Sequence, residues 1–275
     1  MWALVTGASS GIGRDMARYL YKMGYNLILV ARNKENLEVL KKELEKTGED
    51  NIKLKSIDDQ RINSNNISAV QQILILQKDL SNRDNVLELY EETKNISLDL
   101  LVNNAGFGVF GEFAETDLET EINLINTNIT AVHILTKLYL KDMMKNNKGH
   151  ILNVASIAGM EPGPLMATYY ASKAYVIRLS RAINKELKKT KSNVKISILC
   201  PGPVDTNFNN VAKVVFKAPS MSSESVARYG IDKALKGKLI IIPGILNKSV
   251  RIFSKIMPDA LLESVAYHIQ RRKRI

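Results

Sequence analysis

Cysteine, histidine and long apolar runs are scarce in this sequence of 275 residues. The single cysteine, Cys200, cannot form a disulfide within the chain, which is typical of a protein from a reducing compartment. The three histidines lie far apart and show no zinc-site spacing, so we expect no metal centre. No stretch approaches the roughly 18 consecutive apolar residues of a membrane-spanning helix. The first residues enter an apolar segment without the charged region of a signal peptide, and we therefore expect a cytoplasmic protein.

The composition is that of an ordinary globular chain, but its charge is unevenly distributed. Hydrophobic residues make up 45% and charged residues 24%, which excludes a wholly disordered or collagen-like protein. Residues 1–140 carry a net charge of −5 and residues 141–275 a net charge of +16. Such asymmetry indicates a surface that meets an anionic partner: nucleic acid, a membrane or a phosphate-bearing ligand. The charge alone does not distinguish these partners.

Short apolar runs alternate with helical periodicity along most of the chain. The runs predict strands near 3–6, 26–31, 73–78, 98–102, 149–155, 194–200 and 238–242. The periodic segments predict helices near 12–23, 33–47, 83–94, 118–146, 167–190 and 222–236. Most strand runs are continuously apolar, which is typical of a parallel sheet covered on both faces. The pattern predicts an α/β fold: one Rossmann-like, doubly wound parallel sheet of about seven strands, with helices on both faces and a C-terminal helical extension.

Two segments depart from this alternation. The polar stretch 47–72 is longer than most helix-to-strand loops, and we interpret it as an insertion at the sheet edge. Within it, Ile52 and Leu54 alternate with lysines and predict an extra strand, with a disordered loop as the alternative. Residues 1–243 would then form the catalytic domain and residues 244–275 a basic amphipathic helical extension.

A glycine-rich turn separates the first predicted strand from the first helix. Gly7, Gly11 and Gly13 permit a tight turn, a close approach of the backbone to a pyrophosphate, and close packing of helix on sheet. The N-terminus of the helix adds free N–H groups and the positive end of a dipole. The turn therefore predicts a dinucleotide-binding site.

Further motifs follow this turn in a recognisable order. They are Asp79-Leu80, Asn103-Asn104-Ala105-Gly106, Asn128, Ser156, Tyr169-x-x-x-Lys173 and Pro201-Gly202-Pro203-Val204-Asp205-Thr206. Together with Thr6-Gly7-x-x-x-Gly11-x-Gly13, they resemble the short-chain dehydrogenase/reductase family over about residues 2–242. The 47–72 insertion and the tail beyond 243 depart from the common pattern of that family.

The end of the second predicted strand bears on cofactor choice. An NAD site would be expected to place an acidic residue against the ribose 2′-hydroxyl, whereas this chain has Ala31 and Arg32. A guanidinium suits a 2′-phosphate, so we expect NADP(H); Arg32 as a solvent-exposed strand end is the alternative. The predicted cofactor contacts are Gly7, Ser9, Ser10, Gly11, Ile12, Gly13, Arg32, Asp79, Leu80, Asn104, Ala105, Gly106, Tyr169, Lys173, Pro201, Gly202, Val204 and Thr206.

The resemblance also implies a catalytic set. Tyr169 would be the general acid/base, Lys173 its electrostatic partner and ribose contact, Ser156 the residue that orients the carbonyl, and Asn128 the holder of a proton-relay water. Tyr169 and Lys173 lie four residues apart and so share a helix face, where an ammonium can stabilise a phenolate. The lysine spacing and the separation from Ser156 both favour Tyr169 over its neighbour Tyr170.

Loops after the later strands predict an apolar substrate site. Ligands of open α/β sheets bind beyond the carboxyl ends of the strands. Apolar side chains there include Phe107, Phe110, Met160, Met166 and Phe208. We therefore expect an NADPH-dependent reductase of a ketone or aldehyde on a hydrophobic, acyl- or lipid-like substrate. A non-catalytic NADP(H)-sensing or membrane-surface protein is the alternative. We expect a homodimer or homotetramer and no nucleic-acid partner.

The tail pattern leaves its partner open. Apolar stripes run along two segments, at Leu246, Val250, Phe253 and Met257 and at Leu261, Leu262, Val265 and Ile269, with cations at Lys248, Arg251, Lys255 and 271–274. A basic amphipathic helix can lie weakly on an anionic membrane. The favoured alternative is that the apolar stripe of the tail packs over the pocket of its own chain or against a sister subunit. Basic residues nearer the pocket, Lys213, Lys217 and Arg228, would instead suit an anionic carrier on the substrate.

Overall fold

The computed structural model of the chain describes residues 1–58, 71–208, 212, 220–249 and 257–271. Its strands are β1 (Trp2–Thr6), β2 (Asn26–Ala31), β3 (Ile73–Gln77), β4 (Leu100–Asn103), β5 (His150–Val154), β6 (Lys195–Leu199), β7 (Val204–Asp205), β8 (Met221–Ser222) and β9 (Ile240–Ile241). Its α-helices include α1 (Gly11–Lys22), α2 (Lys34–Asp58), α3 (Arg83–Thr93), α4 (Leu118–Ile125), α5 (Val132–Lys145), α6 (Ala167–Lys189), α7 (Ser223–Leu235) and α8 (Asp259–Arg271). A π-helix, Asn126–Ala131, joins α4 to α5, and a 3-10 helix, Ile157–Met160, follows β5.

The main sheet has seven strands in the order β3-β2-β1-β4-β5-β6-β9, and every pair is parallel. The prediction of a doubly wound parallel sheet is confirmed. Strand order reverses between β1 and β4, and loops leaving the carboxyl ends of these strands diverge to opposite faces. This switch point opens the crevice in which open α/β sheets bind ligands.

Apolar side chains alternate between the two faces of the buried strands. Ala3 and Val5 of β1 pack in a core with side chains of α1, α2 and α7, whereas Leu4 packs in a second core with side chains of α3 and α5. All three are fully buried. Because successive strand residues point to opposite faces, a continuously apolar strand supplies both cores at once.

The prediction of an extra strand at Ile52 and Leu54, in the 47–72 insertion, is wrong. Residues 51–58 continue α2, which ends at Asp58 instead of near position 47. Gly48 does not break the helix because it is buried against α1: a Cβ at this position would lie 2.6 Å from the Tyr21 hydroxyl. An isolated helical glycine costs about 1 kcal/mol against alanine, which such close packing can offset. Residues 59–70 of the expected insertion lie outside the described residues.

The single helix expected over 118–146 contains a change of hydrogen-bond pattern. The π-helix widens the turn at Asn126–Ala131 and holds the fully buried Asn128. Insertions of this kind are frequent at functional sites. Hydrophobic periodicity does not show such a turn, because the apolar face is nearly continuous across it.

The second expected helix of the tail is present as α8. Its buried face consists of Leu262, Ala266 and Gln270, while Leu261 and Val265 are exposed. The tail positions Val250, Arg251, Phe253, Lys255 and 272–274 lie outside the described residues, as do Lys213 and Lys217. Within the described part of the chain, no helix has the length and apolar composition needed to cross a membrane.

Candidate active site

The glycine turn forms the floor of the crevice between β1 and α1. Gly7 and Gly11 have φ angles of +66° and +53°, which residues with a side chain rarely adopt. At Gly13 a Cβ would lie 2.4 Å from the Gly7 carbonyl oxygen, so only glycine lets α1 approach the turn this closely. The Thr6 hydroxyl accepts hydrogen bonds from the backbone N–H groups of Asn104 and Ala105 at 2.9 and 3.0 Å, which ties the turn to the end of β4.

A pocket of about 790 Å³ lies above this turn, at the carboxyl ends of the strands. Almost all predicted cofactor residues line it: Gly7, Ser9, Ser10, Gly11, Ile12, Arg32, Asp79, Leu80, Asn104, Ala105, Gly106, Tyr169, Lys173, Pro201, Gly202, Val204 and Thr206. Gly13 lies behind the lining, where it allows the close packing of helix and turn. The backbone cradle and the N-terminus of α1 together suit a pyrophosphate.

Tyr169 and Ser156 form the reactive part of the pocket. Ser156 lies just before the 3-10 helix, and its hydroxyl oxygen accepts the Ala158 N–H at 3.1 Å. The Ser156 hydroxyl also hydrogen-bonds the side chain of Tyr169, which lowers the pKa of Tyr169, but burial outweighs this and raises it to about 12. The phenol therefore stays protonated at neutral pH, and it is a weaker acid than an exposed tyrosine. This differs from the expectation that a neighbouring ammonium would lower the pKa.

Lys173 lies one helical turn beyond Tyr169 on α6. Its Nζ donates to the Val154 carbonyl oxygen at 3.1 Å and lies 5.8 Å from the centroid of the Tyr169 ring. Burial lowers the pKa of Lys173 to about 8, so the side chain is still mainly a cation at pH 7. This places a desolvated positive charge beside the phenol.

Tyr170 faces the tail. Its hydroxyl accepts a hydrogen bond from Nε2 of Gln270 on α8, and burial raises the pKa of Tyr170. The rings of Tyr169 and Tyr170 lie edge to face, with centroids 6.1 Å apart. The structure thus gives the two adjacent tyrosines different partners: Ser156 for Tyr169 and the C-terminal helix for Tyr170.

The side chain of Asn128 is committed to protein partners. Its Oδ1 accepts the Phe107 N–H at 3.1 Å, and its Nδ2 donates to the Phe107 carbonyl at 2.9 Å and to the Ser172 hydroxyl at 3.1 Å. Ser172 in turn donates to the Tyr169 carbonyl oxygen at 2.7 Å. Asn128 therefore fixes the loop after β4 and the first turns of α6, and the water-holding role stays a prediction.

The expected substrate-lining residues divide into two groups. Phe107, Met166 and Phe208 line the pocket. Phe110 and Met160 do not line it: Phe110 packs against the cluster of Met166 and Ala212, and Met160 ends the 3-10 helix and packs against the core that contains Val176. Other residues that line the pocket were not predicted from the sequence, among them Asn33, Asn36, Lys78, Thr127, Tyr170, Asn207 and Ile269. Of these, Ile269 had a signal in the apolar stripe of the tail.

Two cations line the pocket near the end of β2, and they differ in their partners. Lys78 is ion-paired with Glu88 and Glu92, each at 2.8 Å. Arg32 is exposed and forms no ion pair with any carboxylate among the residues that the structure describes. Arg32 therefore has an uncommitted guanidinium at the pocket edge.

The family model for short chain dehydrogenases matches residues 1–66 and 60–214. The chain belongs to the short-chain dehydrogenase/reductase family. It is thus an oxidoreductase of a family whose motifs coincide with the pocket described above.

The chain is similar in sequence to two relatives and in structure to two solved proteins. The chain is 31% identical to 17-beta-hydroxysteroid dehydrogenase type 3 of Rattus norvegicus, over 82% of this chain and 68% of that protein. It is 31% identical to very-long-chain 3-oxoacyl-CoA reductase of Anas platyrhynchos, over 83% and 68%. A short-chain dehydrogenase from Sphingobium yanoikuyae in complex with NADPH has a TM-score of 0.76 at 25% identity, covering 94% and 97%. A short-chain dehydrogenase/reductase from Burkholderia phymatum in complex with NAD has a TM-score of 0.76 at 23% identity, covering 92% of each chain. At this identity the similarity shows the fold alone.

Proposed function

We propose that this enzyme uses NADPH to reduce a ketone or aldehyde on a large apolar substrate of steroid or acyl type. The observation that carries the proposal is the Tyr169 hydroxyl, which is hydrogen-bonded to Ser156 inside the pocket, with the Lys173 Nζ 5.8 Å from the centroid of the Tyr169 ring. The names of the relatives, one acting on hydroxysteroids and one on 3-oxoacyl-CoA, support a substrate of this class.

The residues of the pocket suit a nicotinamide dinucleotide. The glycine turn would hold its pyrophosphate, and Asp79, Asn104 and the loop after β6 complete the lining around it. When bound, the cofactor would supply the hydride that the carbonyl carbon receives. The chain's own residues do the rest: they bind, orient and move a proton.

Tyr169 is the proton donor in the proposed reaction. Its hydroxyl donates a proton to the carbonyl oxygen as that oxygen gains negative charge, while the Ser156 hydroxyl donates a hydrogen bond to the same oxygen. The phenolate left on Tyr169 lies beside the Lys173 cation, which stabilises it electrostatically. Phe107, Met166 and Phe208 exclude water from the apolar part of the substrate.

The reduction is tested by a carbonyl panel with the full chain. We would follow NADPH absorbance with a 17-ketosteroid, a long-chain 3-oxoacyl-CoA and a short aldehyde, and expect turnover of the large apolar compounds. Tyr169→Phe should lower kcat by roughly a hundredfold or more, because the proton donor is lost, with NADPH affinity retained. Tyr170→Phe is the matched control and should change KM more than kcat. Tight NADPH binding without turnover of any compound would instead support the NADP(H)-sensing alternative.

The preference for NADPH depends on Arg32. Arg32→Asp removes the uncommitted cation and places a carboxylate where it repels a 2′-phosphate and can accept a ribose hydroxyl. Loss of one charge-assisted contact should shift the ratio of kcat/KM for NADPH over NADH by about tenfold to a hundredfold toward NADH. Arg181→Asp, at an exposed position of α6, serves as the control. Unchanged cofactor selectivity in Arg32→Asp would reject Arg32 as the residue that reads the 2′-phosphate.

A further inference from the structure

The C-terminal helix α8 is apolar on two sides, although it lies at the surface. Leu262 and Ala266 are buried against the rest of the protein. Leu261, Val265 and Ile269, spaced four residues apart, are 53%, 41% and 53% exposed. A surface helix ordinarily pairs an apolar face with a polar one, so this second apolar row needs its own explanation. We call these three residues the outer row.

The charge of the C-terminal sequence indicates which partner suits the outer row. Residues 244–275 contain seven Lys and Arg and two acidic residues, and four of the basic ones are consecutive at 271–274, where α8 ends. Apolar side chains followed by a basic cluster are complementary to an anionic lipid surface, which offers both a hydrocarbon boundary and negative headgroups. A second copy of this chain docked on the outer row would bring an equally basic C-terminal sequence close to the first, and the like charges would repel.

One end of the outer row reaches the pocket. Ile269 lines the pocket, and its neighbour Gln270 holds Tyr170. We propose that the outer row of α8 docks on an anionic lipid bilayer and so places the pocket mouth at the membrane surface. Docking itself does not depend on the proposed reaction. Combined with that reaction, it would let an apolar substrate enter from the lipid without crossing bulk water.

Vesicle sedimentation of the full chain tests the docking. We expect binding to phosphatidylcholine vesicles that contain phosphatidylserine, weaker binding to phosphatidylcholine alone, and a decrease with added salt. The double variant Leu261→Asp with Val265→Asp should lower the vesicle partition coefficient at least about tenfold, because two apolar side chains lose their burial in lipid. Neither residue lines the pocket, so reduction of a water-soluble carbonyl compound without vesicles should be unchanged.

A matched double variant controls for nonspecific apolar adhesion. Leu118 and Ile122 of α4 have the same spacing and are 69% and 41% exposed, so Leu118→Asp with Ile122→Asp should leave vesicle binding intact. The proposal is overturned if the full chain ignores anionic vesicles, or if both double variants lose binding equally. Light scattering gives a further test of the proposal. If the Leu261→Asp, Val265→Asp variant has a lower molar mass in solution than the wild type, and the Leu118→Asp, Ile122→Asp variant does not, a second copy of the chain covers this face and the proposal is overturned. Failure to reduce any carbonyl compound would count against the proposed function alone.

Discussion

Replacing Lys173 by Met should make the protein more stable at neutral pH while removing its activity. Lys173 is a charged group held in the interior, and burial lowers its pKa from 10.5 to about 8. A depression of this size corresponds to about 3 kcal/mol of unfavourable charge burial, at 1.36 kcal/mol for each pKa unit. Methionine fills a similar volume without a charge, but it leaves the Val154 carbonyl without its 3.1 Å donor, which costs about 1 kcal/mol. We therefore expect a net gain of about 2 kcal/mol in the free energy of unfolding at pH 7.

The pH dependence of this gain identifies its cause. Below pH 8 both the folded and the unfolded chain carry the Lys173 proton, and the folded state bears the full cost. Between pH 8 and 10.5 the unfolded chain binds more protons than the folded one, so the wild-type protein becomes more stable as the pH rises. The advantage of Lys173→Met should therefore shrink over this window and disappear near pH 10.

Urea unfolding at pH 7 and pH 10 measures this effect, with turnover assayed in parallel. Turnover should fall by orders of magnitude, because the phenolate of Tyr169 loses its neighbouring cation. Lys185→Met, at an exposed position on the same helix, should change neither quantity. If Lys173→Met is instead less stable than the wild type by a similar amount at both pH values, Lys173 contributes as a packing residue and not as a buried charge.

Three further perturbations test the groups that support the site. Burial lowers the pKa of His150 from 6.5 to about 4, so between these pH values the unfolded chain binds more protons than the folded one. The free energy of unfolding should therefore fall by up to about 3 kcal/mol as the pH drops through this window. Urea titrations should show a smaller change of stability with pH for His150→Asn than for the wild type. Gly13→Ala should abolish NADPH binding in fluorescence titrations or prevent folding, because its Cβ would lie 2.4 Å from the Gly7 carbonyl oxygen; retained affinity would argue against the tight turn. Asn128→Ala leaves both backbone polar groups of Phe107 without their partner and should cost about 1–3 kcal/mol in thermal or urea unfolding, whereas an unchanged stability would mean that water replaces the amide.

Strand positions and the glycine turn could be read from the sequence because they follow from local rules. Continuously apolar runs of five residues identified the parallel strands, and glycines at 7, 11 and 13 identified the turn, since positive φ and close backbone approach leave little choice of residue type. The end of α2 could not be read in this way. A glycine and a polar stretch favour a loop locally, yet packing of Gly48 against Tyr21 lets the helix continue.

The sequence by itself determined the family, the parallel sheet and the grouping of Ser156, Tyr169 and Lys173, because motif spacing and periodicity are properties of neighbouring residues. The tertiary structure alone decided how these groups behave. Burial, and not the neighbouring ammonium, dominates the pKa of Tyr169, and desolvation depends on atoms contributed from the whole fold. The tertiary structure also brought Gln270 to Tyr170, a contact between side chains 100 residues apart. The same packing decided which of the two apolar rows on α8 is buried. An amphipathic pattern identifies an apolar face, but it does not identify what covers that face.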